Sequence, residues 1–212
     1  MKAIFLNASP RKTANTAQLL KAAQQGAKAS SYETEYYNLY DLNFAGCRSC
    51  FACKRKGIEH PCQCYWKDDL SPILEHIYKA DRLIIGSPIY YGEPTGLFRC
   101  VFERVCFPAM SYNDYSSTFL GKVDTDIILT MNVDETYYHS NYSEKFKKQF
   151  AVLRFLNGTI KIHPFFDTLQ VSDYSKYEMA GFNAERKMQR HEQQFPIDLE
   201  YAFKICSAPS IV

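Results

Sequence analysis

The sequence has little that points toward nucleic acid or a membrane. Lysine and arginine (25) barely exceed aspartate and glutamate (23), for a formal net charge of +2. The cations are scattered, apart from Lys54-Arg55-Lys56. Without a basic stripe, binding to a polyanion is not expected. No apolar run approaches the roughly 20 residues that span a bilayer. The first residues enter a strand pattern at once and lack the charged and then long apolar regions of an export signal. These absences predict a soluble, cytoplasmic protein whose eight cysteines are reduced thiols or metal ligands rather than disulfides. Two phosphate-binding signatures are also missing: there is no Gly-x-Gly-x-x-Gly and no Gly-Lys-Ser/Thr ending, which disfavours a pyrophosphate or a triphosphate on bare backbone. No internal repeat, low-complexity tract or linker divides the 212 residues, so one domain over 1–212 is expected.

What is present is an alternation of strand and helix patterns. Apolar Ile4-Phe5-Leu6 reads as a strand, and Ala17 to Ala23 begins a helix that ends near Lys28-Ala29-Ser30. Glu33 to Leu39 reads as a second strand, and Gly46 to Lys67 as a long irregular insert, a length that is usually functional. A helix opens at Asp68-Asp69 with Leu70, Ile73, Leu74, Ile77 and Tyr78 on one stripe. Asp81 to Gly86 is a short buried strand ending in a turn over Ser87 to Pro94, followed by a helix from about Thr95 to Val105. Asp126 to Met131 is the fourth strand, running out into polar residues through Tyr142. A helix over Glu144 to Leu156, a fifth strand within Thr159 to Val171, and a helical segment over about 183–206, interrupted at Pro196, complete the chain. This order predicts an α/β fold with a mainly parallel sheet, whose ligands bind beyond the carboxyl ends of the strands.

Three stretches carry chemistry. In Ser9-Pro10-Arg11-Lys12-x-x-Asn15-Thr16 a strand stops, a turn supplies hydroxyl, amide and cationic donors, and a helix begins. Backbone N–H groups and the helix dipole favour an anion there, and a phosphate monoester of a mononucleotide fits the donor set. In Ser87-Pro88-Ile89-Tyr90-Tyr91-Gly92 two aromatics beside exposed backbone offer a wall to a planar heterocycle. The alternatives are a capped helix with solvated cations and a tyrosine loop packed on its own helix. Side by side in a doubly wound sheet, the two stretches favour a flavin mononucleotide. The third stretch is Cys47-x-x-Cys50-x-x-Cys53, with Cys62 or Cys64 as a fourth thiol; all five cysteines lie within 18 residues. Such spacing suits an iron–sulfur cluster, with zinc as the other natural occupant and packed thiols as the bland alternative. Cys100, Cys106 and Cys206 sit in apolar helical contexts and are expected in the core.

The first two motifs resemble those of the NAD(P)H-dependent FMN reductase group of the flavodoxin-like superfamily. Gly46-Cys47-x-x-Cys50-x-x-Cys53 resembles the iron–sulfur flavoprotein branch of that group. Lys67-Asp68-Asp69-Leu70 and Ala80-Asp81 look similar too, so the resemblance covers about residues 1–160. It departs at Asn7-Ala8, where a glycine usually precedes the serine, and in the long gap after Cys53. It implies a flavodoxin-like, doubly wound, five-stranded parallel sheet of order 2-1-3-4-5 with helices on both faces and a Cys-rich insert at about 46–67. It further implies that Ser9, Arg11, Lys12, Asn15 and Thr16 hold the FMN phosphate and that Pro88, Ile89, Tyr90, Tyr91 and Gly92 line the isoalloxazine. Met131 and Asn132 would approach the ring from the other side. Cys47, Cys50, Cys53, Cys62 and Cys64 are the candidate ligands of a [4Fe–4S] cluster or zinc. No protein acid or base is named, because the flavin carries the chemistry.

The activity implied is an oxidoreductase taking hydride from NAD(P)H and passing electrons through FMN to a small acceptor: a quinone, a nitro or azo compound, or free flavin. The second class is an FMN electron carrier, with or without a cluster, serving partner proteins; the slightly basic chain favours the enzyme over an acidic docking protein. A cysteine–metal module without flavin is the third. A homodimer or higher homo-oligomer is implied by the family, which builds its site near a subunit interface.

Overall fold

The computed structural model describes residues 1–58 and 62–207; residues 59–61, within the expected insert, and 208–212 lie outside that description. The strands are β1 (Lys2–Asn7), β2 (Glu33–Asn38), β3 (Arg82–Tyr90), β4 (Glu93–Pro94), β5 (Val123–Thr130) and β6 (Asn157–Phe165). The helices are α1 (Asn15–Ala29), α2 (Leu70–Tyr78), α3 (Gly96–Ala109), α4 (Glu135–Asn141), α5 (Ser143–Phe150) and α6 (Ala184–Ser207). Five strands form a parallel sheet in the order β2-β1-β3-β5-β6, with β4 antiparallel on β3. The parallel order is the one the family resemblance implied, and the two-residue β4 is an addition to it.

The near-continuous apolar runs of the central strands follow from burial on both faces. Alternate residues of β1 point to opposite layers. Ile4 and Leu6 meet α2, α3 and α5 through Ile73, Leu74, Val101, Val105 and Phe146. Ala3 and Phe5 meet α1 and α6 through Leu19, Leu20, Ala23, Phe195 and Ala202. Period two in the strand and the three-to-four spacing of the helices thus build two cores around one sheet.

Four expectations are corrected. Ser87 to Tyr90 is not a turn but the continuation of β3: Ser87 and Pro88 stay in register with Leu129 and Thr130 of β5, and Ile89 and Tyr90 pair with Pro94 and Glu93. The polar exit after β5 contains α4, capped by the Asp134 carboxylate, which accepts from the Tyr137 backbone N–H at 2.8 Å. The helix expected over Glu144 to Leu156 ends at Phe150 and tightens into a 3₁₀ segment, Ala151–Leu156. Finally, α6 runs unbroken through Pro196. An internal proline costs a helix roughly 3 kcal/mol, and here both halves are held down by burial of Phe195, Ala202 and Cys206.

Candidate functional site

The carboxyl edge of the sheet brings three loops together. After β1, Asn7 folds back on itself: its Oδ1 accepts from the Ser9 N–H at 3.0 Å, while its Nδ2 donates to Asn38 at 3.1 Å. The Ser9 hydroxyl accepts from the Arg11 N–H at 3.2 Å, which tightens the turn. The chain then enters α1, whose first turn has no side-chain cap among the described residues. Uncapped N–H groups on a buried 15-residue helix start are the donors an oxyanion satisfies. Gly86 lets α1 approach the sheet: a Cβ there would lie 2.7 Å from Leu20 and 2.9 Å from the Thr16 methyl.

The second loop is a hairpin. Tyr91 and Gly92 join β3 to β4 with φ of 51° and 78°, the doubly positive pair of a type I′ turn. Lys145 of α5 pins it by donating to the Gly92 carbonyl at 2.9 Å and pairing with Glu93. Tyr90 is 44% exposed and Tyr91 fully so, so both rings stand out from the edge. Thr95, the N-cap of α3, joins the loops: its hydroxyl donates to the Ala8 carbonyl at 2.8 Å, and its N–H donates to the Ser87 hydroxyl at 3.0 Å.

The third loop follows β5. Met131 is buried in the core, leaving Asn132 as the exposed member of that pair. The segment after β6 crosses this edge, with the Thr168 N–H donating to the Met131 carbonyl at 3.0 Å. Asn15 Nδ2 donates to the Leu169 carbonyl at 2.7 Å, and the Arg11 guanidinium donates to the Gln170 carbonyl. Thr16 and Thr130 share a hydroxyl contact of 2.8 Å, and Lys12 pairs with Asp41. The sequence-predicted phosphate residues therefore stand together, each held by a partner within the chain.

Sequence reasoning missed what lies behind Asn132. Lys187 of α6 is 5% exposed; its Nζ donates to Asn132 Oδ1 at 2.6 Å and pairs with Asp167. Burial pushes the Lys187 amine below its ordinary value. Burial pushes Asp167 up, but Lys187 and Arg186 outweigh it and hold the carboxyl below the usual range. Gln170 Nε2 also donates to Asn132 Oδ1, at 2.7 Å. With two donors on its oxygen, the Asn132 amide is oriented, and its NH₂ is the group left for a ligand.

The cysteine insert is organised by α3. Arg104, 1% exposed, reaches out of the helix to Asp68 and donates to the carbonyls of Ala45 (3.2 Å) and Trp66 (3.1 Å). Lys54 donates to the α3 C-terminal carbonyls of Phe107 (2.5 Å), Pro108 (3.4 Å) and Met110, where the helix dipole also favours a cation. Cys47, Cys50, Cys53 and Cys64 line one partly enclosed pocket, with Arg48, Trp66, Arg104 and Phe107 among its walls. Its free space is about 20 Å³, the room of one water. Cys62 is placed elsewhere, buried near the Thr118 hydroxyl (3.5 Å) beside Ala109 and Phe155. Burial, and then the neighbouring Cys64, Cys47 and Cys50, raise the Cys53 thiol, with Lys54 opposing. Among the described residues no three histidine, cysteine or carboxylate side chains form a group that could hold a single metal ion. Cys106 and Cys206 are buried as expected, their thiols pushed up to about 12 by burial, while Cys100 is half-buried against Gly46.

The profile of the NADPH-dependent FMN reductase family matches residues 1–124. The chain belongs to that family. Among curated proteins it is 36% identical over 104 residues to an iron–sulfur flavoprotein of Archaeoglobus fulgidus, covering 49% of this chain and 48% of that one. An iron–sulfur flavoprotein of Methanosarcina thermophila is 30% identical over 49% of this chain and 52% of its own. The chain thus spans about half the length of the curated relatives it matches. Among solved structures, the NAD(P)H:quinone oxidoreductase of Methanothermobacter marburgensis superposes with a TM-score of 0.69 at 15% identity, covering 98% of this chain and 96% of that one. An FMN-dependent NADH-azoreductase of Bacillus anthracis, in complex with FMN, gives 0.62 at 16% identity over 97% and 100%. These similarities establish the flavodoxin-like fold. No described helix is long and apolar enough to cross a membrane.

Proposed function

We propose that this FMN reductase family member is an FMN-dependent oxidoreductase that takes reducing equivalents from NAD(P)H and delivers them to a small acceptor such as a quinone, a nitro or azo compound, or free flavin. The observation that carries the reading is the uncapped start of α1 set beside the exposed Tyr90 and Tyr91 hairpin, with Thr95 tying the two loops together. Ser9, Arg11, Lys12, Asn15 and Thr16 would hold the phosphate. Pro88, Ile89, Tyr90, Tyr91 and Gly92 would line the ring, and the oriented amide of Asn132 would donate to its polar edge, with Met131 supporting from the core. The chemistry a bound flavin supplies is acceptance of hydride and its release as electrons; the chain binds, orients and shields. A phosphate bound there would compete with the carbonyls of Gln170 and Leu169 for the Arg11 and Asn15 donors.

The cysteine pocket is read as the seat of a [4Fe–4S] cluster held by Cys47, Cys50, Cys53 and Cys64. Four soft thiols sharing one pocket suit iron–sulfur ligation. A cluster there would be held by these four thiolates and would supply one-electron transfer. A second reading, an electron carrier serving partner proteins, is favoured by the exposed rings of Phe51, Tyr112 and Tyr115 beside that pocket. A homodimer and a cytoplasmic setting complete the proposal.

Protein purified without oxygen decides between these. The enzyme reading expects a flavin spectrum that NADH or NADPH bleaches within seconds. Flavin that neither nucleotide reduces would support the carrier, and protein that takes up no FMN would sink both. Iron and acid-labile sulfide report the cluster, and light scattering reports the oligomer.

A further inference from the structure

Arg104 carries more than its role as a tether demands. Three of its contacts, to Asp68 and to the carbonyls of Ala45 and Trp66, fasten the two ends of the insert to α3. Yet the Nε–H is buried with no hydrogen-bond partner among the described residues, and the side chain lines the pocket that Cys47, Cys50, Cys53 and Cys64 share. Leaving a buried donor unmade costs about 1–3 kcal/mol, more for a charged group. Burial works against the charged guanidinium, and the contacts with Asp68 and then Cys64 outweigh it.

The molecule provides its own control. Arg82 is also buried with an unpartnered Nε, but it sits in the sheet paired with Asp126 and donates to the Ile205 carbonyl at 3.0 Å. Arg82 lies near Cys206, whereas Arg104 lines the pocket that four cysteines share. The other cations near those thiols are committed elsewhere: Lys54 to the carbonyls ending α3, and Arg48 to stacking on Trp66 at 3.8 Å. Among the described residues, only Arg104 is both inside the fold and left with a free donor at this pocket.

We propose that Arg104 is the charge-compensating and hydrogen-bonding partner of the iron–sulfur cluster, a positioning residue that favours the cluster's reduced form. This rests on the cluster reading above. Four thiolates outweigh the positive charge of a [4Fe–4S] core, so the unit is anionic and gains one further negative charge with each electron. A buried guanidinium lowers the energy of the more negative state most, and hydrogen bonds to sulfur act in the same direction. Asp68, paired with Arg104, works against it.

The test is a mediated redox titration of anaerobically purified protein, followed by the paramagnetic signal of the reduced cluster, with iron and sulfide measured on the same samples. R104Q is expected to lower the cluster potential so that about tenfold less cluster is reduced at a fixed potential, ~59 mV for one electron. R104K, which keeps the charge and loses the planar fork, is expected between the two. D68N frees the guanidinium from its counter-charge and is expected to shift the potential the opposite way, upward. A mere tether predicts that R104Q and D68N weaken cluster retention alike without moving the potential, and that result overturns the proposal. Should R104Q fail to fold, the sign of the D68N shift decides: upward supports the proposal, unchanged or downward overturns it. Wild-type protein that contains flavin but neither iron nor sulfide after reconstitution removes the cluster reading, and this inference with it, while leaving the FMN reading in place.

Discussion

The two candidate cofactor sites differ in what their polar groups are doing. At the sheet edge the phosphate-loop side chains are already partnered within the chain: Arg11 with Gln170, Asn15 with Leu169, Thr16 with Thr130 and Lys12 with Asp41. In the cysteine pocket four cysteines share one lining, and a buried guanidinium keeps an N–H without a partner among the described residues. The first site exchanges internal hydrogen bonds for ligand, so each residue's net contribution to affinity is a difference. The second holds a buried donor without a partner among the described residues, so there a ligand that accepts from it removes a cost.

The sharpest way to break this contrast lies in the pocket. C64S is expected to abolish iron and sulfide incorporation, whereas C62S, altering a thiol buried beside Ala109 and Phe155, is expected to leave them near wild type. Equal losses in both would return Cys62 to the ligand set and undo the assignment of the pocket.

Next in size is K187M, at the flavin edge. It strips Asp167 of its buried partner; breaking such a pair costs roughly 3–5 kcal/mol, and Arg186, 2.7 Å from Asp167, should hold the loss to the low end. The pH dependence follows from Asp167, whose folded value lies below its ordinary 3.8. Its contribution to stability is present above the unfolded value and is lost as pH falls through the folded one. K187M should raise that folded value and so move the acid limb of the stability curve to higher pH. Denaturant unfolding across pH 2 to 7 checks both, and an unmoved acid limb would mean that Arg186 alone sets the Asp167 charge.

How much of this was legible in the residues depends on the range of the interaction. The α/β alternation and the start of α1 were readable because periodicity and turn chemistry are local, whereas the strand order came from the family resemblance. The continuation of β3 through Pro88 was hidden by a residue that usually ends strands, and α6 crossed Pro196 because α1 buries both its halves. At the edge, Ser9 to Thr16 could be found from their spacing, but Lys187 and Gln170, more than 35 positions from Asn132, left no local signal. Arg104 did leave one: a cation between Phe102 and Val105 on an apolar helix stripe has to find a polar partner inside the fold.

Third comes R11A. A charge-assisted contact to phosphate is worth about 1.5–3 kcal/mol, and release from the Gln170 carbonyl should bring the measured loss of FMN affinity toward the lower figure. Fluorescence titration with FMN reads it, and unchanged affinity would show that the guanidinium stays with Gln170 in the bound state.

The smallest expected effect tests the exchange idea most directly. Lys12 and Asp41 are both substantially exposed, so the pair itself adds little to stability. If Lys12 must leave Asp41 to serve the phosphate, D41N frees it in advance and should tighten FMN binding, where nearly every other change at this edge weakens it. The gain should be at most a few-fold at low salt and should fade as ionic strength rises, since exposed charges are screened over about 8–10 Å near physiological salt. K12A in the D41N background then separates two causes. A gain that survives the loss of Lys12 comes from removing a negative charge near the phosphate, and a gain that disappears comes from the released amine. An unchanged affinity in D41N would mean that Lys12 stays with Asp41 throughout, leaving Arg11 as the phosphate's one full charge in this loop.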